Sequence, residues 1–231
     1  MTPRVAFYVY PTAFQNPGGG EIQLLKTKQY LEAEGLTIKL FDSWTDKLES
    51  FDILHTFGSV KYALPMMEAA RCVGVKNVLS TICWYNWQSA WETPGSLATR
   101  AAALGRHAGK IYLPFIPSQR KRMMEISDVL IPNSESEADQ LKRFFQVPKK
   151  KITVIPNAVD PVFAVANPDS FVNKFGLRDF VLCVGRIEPR KNQLGMIRAF
   201  RGAKVPLVII GDPVKTYPRY YQACRDAAGD N

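Results

Sequence analysis

The sequence has few cysteines and lacks the spacings by which cysteines bind zinc or form a redox pair. Cys72, Cys83, Cys183 and Cys224 stand far apart, and no C-x-x-C motif occurs. Isolated cysteines of this kind remain reduced thiols in the cytosol. We therefore expect a cytoplasmic protein with neither a disulfide framework nor a zinc site.

Several other signatures are absent, and each absence weakens the case for one class of function. No stretch approaches the ~20 apolar residues that a membrane-spanning helix requires. A G-x-G-x-x-G fingerprint is missing, which argues against a dinucleotide-dependent oxidoreductase. No carboxylate cluster of the D-x-D type occurs, so no metal is implied. No helix-turn-helix, zinc-finger or RNP pattern is present, so we expect no nucleic-acid partner.

The sequence does contain an excess of positive charge, concentrated in its middle. The net charge is +9, and residues 100–151 hold eleven Lys or Arg against five Asp or Glu. The main clusters are Arg120–Arg122 and Lys149–Lys151. A localised basic face suits an anionic membrane, whereas a solvated face would carry the same charges without any partner. We keep both interpretations, and the first predicts peripheral contact with the inner face of the membrane.

The most informative stretch is 180–192, FVLCVGRIEPRKN. Val181–Val184 is a continuous apolar run, which predicts a strand buried on both faces. Gly185 ends the run, Arg186 and Lys191 follow five residues apart, and a helical pattern comes next. Two cations at the carboxyl end of a parallel strand, beside the first amides of a helix, predict an anion site. The alternative is a pair of solvated loop charges.

A glycine-rich loop follows the first predicted strand in a similar way. Val5–Tyr10 is an apolar, β-rich run, and Gly18–Gly20 leads into a helical pattern over 21–34. Because this backbone carries no Cβ atoms, a ligand can approach it closely, and the helix N-terminus favours negative charge. A glycine loop that binds no ligand is the alternative.

Residues 127–139, SDVLIPNSESEAD, combine a short strand with the start of a helix. Ser134 and Glu137 stand at the spacing of a capping box, so an N-cap role is sufficient to explain Ser134. Further along, residues 151–160, KITVIPNAVD, predict a strand and a turn.

In this order, these stretches resemble the motifs of group 1 glycosyltransferases, the retaining glycosyltransferase family four, which have the GT-B fold. The matching motifs are G-R-x-x-x-x-K, the glycine-rich first loop, S-D-V-L-I-P-N-S-x-x-x-A-D and I-P-N-A-V-D, where the family has glycine in place of Ala158. The resemblance implies that Arg186 and Lys191 hold the diphosphate of a nucleotide-sugar donor. It also implies that Gly19 and Gly20 lie near that diphosphate, in a cleft between two domains.

The sequence departs from the family at the end of the strand predicted over 77–82. Many members carry a His-Asp pair there, whereas this chain has Cys83, so the resemblance leaves the catalytic residue unknown. His55 matches the family's D-x-x-H pattern, but we favour a histidine packed in the core. The aromatic residues of 84–91 form either a stacking surface for sugar or lipid, or a hydrophobic core under a loop.

We predict an α/β fold with two parts. Residues 1–165 form a Rossmann-like parallel sheet of GT-B type, on the acceptor side. Residues 166–231 form a linker and the first β-α-β-α part of a second Rossmann-like domain, on the nucleotide-sugar side. The family's second domain carries an acidic E-x-x-x-x-x-x-x-E motif, and no such pair follows Asp212. We therefore expect a chain truncated in its second domain, with weak or no activity.

The resemblance implies a hexosyltransferase-type enzyme that moves a sugar, with retention, from a nucleotide-sugar to an acceptor hydroxyl. The acceptor class is a glycan, a lipid or a small molecule. The nucleotide-sugar is a co-substrate, and no cofactor is expected. Catalysis would depend on positioning and on stabilisation of the leaving diphosphate. The alternative is a non-catalytic module of the same fold that binds a glycan, a lipid or a partner protein.

Overall fold

The computed structural model describes residues 2–15, 17–84, 87–91, 96–113, 117–165, 167–215 and 217–229. The chain divides into two compact units, unit 1 from Met1 to Ala158 and unit 2 from Val159 to Asn231. Both units contain a parallel sheet, which confirms the predicted α/β class.

Unit 1 is built, within the described ranges, on a sheet of five parallel strands in the order β2-β1-β3-β4-β5. The strands are β1 Arg4–Tyr8, β2 Thr37–Leu40, β3 Ile53–Phe57, β4 Lys76–Ser80 and β5 Val129–Ile131. The order reverses at β1, which pairs with β2 on one side and with β3 on the other. Open α/β sheets bind ligands outside the carboxyl ends of their strands at such a switch point.

Helices cover both faces of this sheet. They are α1 Gly19–Ala33, α2 Leu64–Cys72, α3 Trp87–Trp91, α4 Leu97–Tyr112, α5 Gln119–Ile126 and α6 Glu135–Phe145. Side chains alternate between the two faces of a strand. Val5 and Phe7 of β1 therefore pack in one cluster with Leu24 of α1, whereas Ala6 and Tyr8 belong to the larger cluster on the other face.

Serine N-caps determine where three of these helices begin. The hydroxyls of Ser96, Ser118 and Ser134 each accept a hydrogen bond from the backbone N–H three residues further on. This arrangement satisfies a helix N–H that has no partner inside the helix. It confirms the N-cap predicted at Ser134. Among the described residues, no helix is both long enough and apolar enough to cross a membrane.

Unit 2 contains, in its described part, a sheet of two parallel strands, β6 Val181–Val184 and β7 Leu207–Ile210. Its helices are α7 Asp169–Phe175, α8 Gln193–Ala199 and α9 Pro218–Ala228. The strand and helix predicted around Arg186 and Lys191 are both present, and the two cations lie in the connection between them.

The prediction that β6 is buried on both faces is wrong. The side chains of Val181, Leu182 and Val184 are 41%, 51% and 69% exposed. A parallel strand is buried on both faces only where other strands and helices cover it. Among the described residues, β6 pairs with β7 alone. The apolar run therefore indicated the strand correctly but not its burial.

Candidate functional site

The glycine-rich loop leaves its backbone open at the start of α1. Gly18 is the N-cap, and its N–H donates to the Glu21 carboxylate at 2.7 Å. An added Cβ would meet nothing within 4 Å at Gly19, and only Ile82 Cδ1 at 3.7 Å at Gly20. Neither glycine is required by the fold, so both leave bare backbone that a ligand can approach. The Glu21 carboxylate therefore already binds one of the backbone N–H groups that we predicted to bind an anion.

The turn after β4 is strained at Ile82. This residue has a φ of +41°, and a β-branched side chain rarely adopts that conformation. Such strain costs about 1–3 kcal/mol and persists only where the surroundings hold the backbone in place. Glu137 holds the backbone on both sides of Ile82, because Thr81 Oγ1 and Cys83 N each donate to Glu137 Oε1 at 2.6 Å.

Glu137 of α6 joins the loops that follow β4 and β5. Its carboxylate is buried, with 2% of the residue exposed, and its second oxygen accepts from the N–H of Asn133 at 2.9 Å. The Glu137 N–H itself donates to Ser134 Oγ at 3.2 Å. The capping-box spacing predicted the bond from the Glu137 N–H to Ser134, but not the acceptance from Asn133, since a capping box would use the Ser134 N–H. The sequence gives no signal for the bonds to Thr81 and Cys83, which are 56 and 54 residues away.

Cys83 and His55 are both buried below this edge of the sheet. Cys83, at the position of the family's usual histidine, is 6% exposed. His55 Nε2 lies 2.9 Å from Ser80 Oγ, and the His55 ring stacks on Phe57 at 4.2 Å. Burial lowers the pKa of His55 to about 4, so its imidazole is neutral at pH 7. The interpretation of His55 as a packed core residue is confirmed.

Two glycines bring the backbone together at the carboxyl ends of β6 and β7. Gly185 and Gly211 have φ values of +146° and +155°. A Cβ added at Gly211 would lie 2.1 Å from the carbonyl oxygen of Gly185. No other amino acid fits at 211 without a shift of the backbone, so the fold itself demands this glycine.

A buried glutamine holds the loop that carries the two cations. Gln193, the first residue of α8, is 1% exposed. Its Nε2 donates to the carbonyl oxygen of Arg186 at 2.9 Å, and its Oε1 accepts from the N–H of Glu188 at 3.4 Å. Arg190 donates to the Glu188 carboxylate at 2.9 Å. The loop is therefore fixed by neutral backbone contacts and by an ion pair that uses neither Arg186 nor Lys191.

The charged groups of Arg186 and Lys191 stay available for a ligand. Within the described ranges, neither side chain forms a hydrogen bond or an ion pair with the protein. Lys191 lies over the strand end, with its Cε 3.9 Å from the ideal Cβ position of Gly185. The predicted approach of Gly19 and Gly20 to these cations concerns residues of two different units and stays a prediction.

The first turn of α8 contributes less to an anion site than the sequence suggests. The Leu194 N–H donates to the hydroxyl of Tyr220, on α9, at 3.1 Å. Burial raises the pKa of Tyr220, so this hydroxyl stays protonated at neutral pH. One helix amide is thus already satisfied inside unit 2, and the positive charge near β6 comes mainly from the two side chains.

The three tryptophans after β4 are on the surface. Trp84, Trp87 and Trp91 are 56%, 46% and 55% exposed, whereas Tyr85 lies outside the described residues. The rings of Trp87 and of the buried His107 on α4 meet in a T-shaped contact, with their centroids 4.5 Å apart. Of the two interpretations of this segment, the structure supports an exposed surface and not a core under a loop.

Part of the predicted basic face has partners inside unit 1. Arg120 Nε donates to the carbonyl oxygen of Ser59 at 3.0 Å, and Arg122 pairs with Glu68 at 3.1 Å. Lys151 Nζ donates to two carbonyl oxygens near the end of α5, each at 2.8 Å. Arg120 and Lys151 thus bond to neutral carbonyl oxygens and keep their full charge, whereas the charge of Arg122 is partly offset by Glu68. In the described part of the chain, no group of three or more His, Cys, Asp or Glu could hold a metal.

Comparison with known proteins gives one family and two curated relatives. The model of Glycosyltransferase Family 4 matches residues 17–163. A D-inositol 3-phosphate glycosyltransferase of Stackebrandtia nassauensis is 24% identical over 85% of this chain. An N-acetylgalactosamine-N,N'-diacetylbacillosaminyl-diphospho-undecaprenol 4-alpha-N-acetylgalactosaminyltransferase of Campylobacter jejuni is 33% identical over 38% of this chain. The aligned regions span 55% and 24% of these two relatives.

A solved structure supports the same fold. The crystal structure of a glycosyltransferase from Rickettsia africae aligns with 98% of this chain and 64% of its own length, at a TM-score of 0.57 and 14% identity. At that identity the likeness concerns the fold alone. The family match covers more than half of the chain, and the motifs at the strand ends agree with it. The chain therefore belongs to glycosyltransferase family 4.

Proposed function

We propose that this chain belongs to a retaining hexosyltransferase of GT-B type. The enzyme uses a nucleotide-sugar donor and needs no further cofactor. Residues 1–165 take the acceptor side in this proposal, and residues 166–231 take the donor side. The observation that carries it is the pair Arg186 and Lys191, which lie beside bare backbone at a strand end and have no partner within the described residues. A diphosphate is the ligand that such a pair of cations suits.

The proposed reaction is transfer on one face of the sugar. The acceptor oxygen forms a bond to the anomeric carbon as the bond from that carbon to the diphosphate breaks. The acceptor proton goes to the departing phosphate oxygen. Arg186 and Lys191 stabilise the negative charge that develops on the diphosphate. A buried, neutral His55 makes a poor base for this step, which favours the donor phosphate in that role.

The proposed acceptor carries a phosphate group and is presented in the cytoplasm. The names of both curated relatives include a phosphate group, as inositol 3-phosphate in one and as a diphospho-undecaprenol saccharide in the other. Peripheral contact with the inner face of an anionic membrane belongs to the proposal, since a lipid-linked acceptor would be found there.

Binding of a nucleoside diphosphate to the whole chain tests the donor site. Arg186→Ala and Lys191→Ala should each weaken binding of UDP or GDP by about tenfold in calorimetry, because each removes one charge-assisted contact. Arg198→Ala, which removes an exposed cation from α8, is the matched control and should change the affinity less than about threefold. Equal effects of all three substitutions would overturn the donor-site assignment.

A non-catalytic binding module is the second candidate. A buried Cys83 in place of histidine and an exposed tryptophan segment favour it. Incubation with radiolabelled nucleotide-sugar and phosphorylated acceptors separates the two candidates. Labelled product that depends on Arg186 supports the transferase, whereas nucleotide binding with neither transfer nor hydrolysis supports the binding module.

A further inference from the structure

Asn192 lies between the loop that carries the two cations and helix α8. It follows Lys191, is exposed, and has a φ of +53°. Asparagine and glycine adopt this left-handed conformation more readily than other residues. The backbone therefore explains why an asparagine or a glycine stands at 192. It does not explain where the side-chain amide of Asn192 lies, or what that amide does.

The amide of Asn192 lies against Gly195, one turn further along α8. A Cβ added at Gly195 would be 2.7 Å from Asn192 Oδ1 and 2.8 Å from Asn192 Nδ2, so the amide would have to move. Glycine inside a helix is less stable than alanine, because it loses more conformational freedom on folding. The glycine at 195 thus weakens α8 and leaves room for the Asn192 amide.

Capping of the helix does not account for this amide. Asn192 is the N-cap of α8, where an asparagine side chain commonly accepts from the backbone N–H two or three residues further on. The Asn192 side chain accepts no such bond, and the Leu194 N–H donates to the hydroxyl of Tyr220 instead. Within the described part of the chain, the amide forms no hydrogen bond with the protein. Its donor and its acceptor are both open to a ligand.

The loop holds this amide next to a cation. Asn192 and Lys191 are neighbours in the connection from β6 to α8, and the side chain of Lys191 extends over Gly185 at the strand end. The buried Gln193 follows directly and bonds to the carbonyl oxygen of Arg186, which fixes the loop close to Asn192. A primary amide carries two N–H donors and no charge. It can therefore donate to a phosphate oxygen without competing with the two cations.

We propose that Asn192 is a third contact of the donor site, and that its Nδ2 donates a hydrogen bond to the diphosphate of the nucleotide-sugar. The inference rests on the proposed function, because it extends the site assigned to Arg186 and Lys191. Gly195 is a positioning residue in this proposal, since it acts only by leaving space for the amide. A hydrogen bond from a neutral donor contributes less to affinity than a contact from either cation.

Two substitutions and their combination test the proposal by calorimetry with UDP and GDP. Asn192→Gly keeps the positive φ without strain and removes the amide, so it should weaken binding by about three- to tenfold. Gly195→Ala places a Cβ where the amide lies and should weaken binding to a similar degree, although alanine favours the helix. In the double variant, Gly195→Ala should cause no further loss, because no amide remains to be displaced.

Gly105→Ala is the matched control. It makes the same change inside helix α4, where an added Cβ meets nothing within 4 Å, and it should leave the affinity unchanged. Unchanged affinity in Asn192→Gly, or losses that add in the double variant, would overturn the proposal. Weaker binding in Arg186→Ala but not in Asn192→Gly would remove this contact and leave the donor site intact. If the unaltered chain binds neither nucleotide, both proposals fail.

Two further measurements separate a ligand contact from a structural role. Glycine replaces asparagine at an N-cap with little loss of stability, so Asn192→Gly should melt close to the unaltered chain while it binds nucleotide more weakly. A lower melting temperature with unchanged affinity would assign Asn192 to the fold alone. In a nitrogen–proton NMR spectrum, the side-chain signals that disappear in Asn192→Gly should shift when UDP or GDP saturates the unaltered chain. Signals that stay in place would overturn the contact.

Discussion

The two units fix the loops after their strands with buried side chains of the same size but different charge. In unit 1 the carboxylate of Glu137 accepts from Thr81, Cys83 and Asn133. In unit 2 the amide of Gln193 donates to one backbone group and accepts from another. The carboxylate adds a negative charge at the sheet edge of unit 1. The neutral amide adds none, so it does not offset the positive charge of Arg186 and Lys191.

The strand ends of the two units differ in a second respect. Unit 2 places Gly185 and Gly211 where φ is positive, and glycine adopts that backbone without strain. Unit 1 places Ile82 at a positive φ, and needs the Glu137 contacts to hold it. Unit 1 therefore presents the exposed Ile82 side chain after β4 at a cost in stability, whereas unit 2 presents bare glycine backbone after β6 and β7.

Loss of the Glu137 carboxylate should have the largest effect. Glu137→Ala leaves the Thr81 hydroxyl and two backbone N–H groups without an acceptor, and should lower the free energy of unfolding by about 3–5 kcal/mol. Chemical denaturation followed by circular dichroism measures this change. Glu135→Ala, at an exposed position of the same helix, is the control and should cost less than about 1 kcal/mol. A cost below 1 kcal/mol at Glu137 would show that the network adds little.

Acid should weaken unit 1 through His55, whereas unit 2 contains no histidine. The folded pKa of His55, about 4, lies below the ordinary value of 6.5, so the unfolded chain binds the proton more tightly. The stability contribution is therefore complete above pH 6.5 and is lost as the pH falls towards 4. It amounts to about 3 kcal/mol.

The His55→Asn variant provides the comparison for this pH effect. It should show a smaller loss of stability between pH 6.5 and 4.5 than the unaltered chain, measured as the denaturation midpoint at each pH. His107 is present in both proteins and cancels in the difference. Identical pH profiles would mean that His55 is protonated in the folded state as easily as in the unfolded state.

Gln193→Glu gives unit 2 the charge that unit 1 carries, and so tests what the neutral amide contributes. A carboxylate cannot donate to the Arg186 carbonyl, which should cost about 1–3 kcal/mol of stability. The added charge beside the loop should also weaken nucleoside diphosphate binding by about tenfold. Gln222→Glu makes the same change on the exposed side of α9 and should leave affinity nearly unaltered. Unchanged affinity in Gln193→Glu would separate this glutamine from the cation site.

The smallest effect concerns the strained position in unit 1. Replacing Ile82 with Gly should give a protein about 0.5–1 kcal/mol more stable than replacing it with Ala, because alanine keeps most of the cost of a positive φ. Elsewhere in a chain the order is usually the reverse. Thermal melts of the two variants measure the difference. An Ala variant that is the more stable of the two would indicate that the turn relaxes when the isoleucine is removed.

The sequence predicted most of the local structure at both sites, because local signals lie close together in the chain. The spacing of Ser134 and Glu137 predicted a capped helix, and the run Val181–Val184 predicted the strand before Arg186. It did not assign α4, since residues 93–117 are rich in Ala, Gly and Pro, and glycine and proline are typical of loops.

Contacts between residues far apart in the chain could not be predicted from the sequence. The bond from Thr81 to Glu137 crosses 56 residues, and no spacing rule marks it. The positive φ of Ile82 gives no signal either, because isoleucine is among the residues least expected there. The prediction that β6 is buried was wrong for a related reason. An apolar run shows which side chains a strand can bury, but not which elements cover them.

The glycines at the strand ends also constrain how the sequence can vary. At position 211 the fold forbids every side chain, so a selection for folding alone should keep only glycine there. At positions 19 and 20 an alanine fits, so the same selection should tolerate it. A selection for activity should reject alanine at all three positions if a ligand approaches the first loop. The difference between the two selections would separate glycines kept for the fold from glycines kept for a ligand.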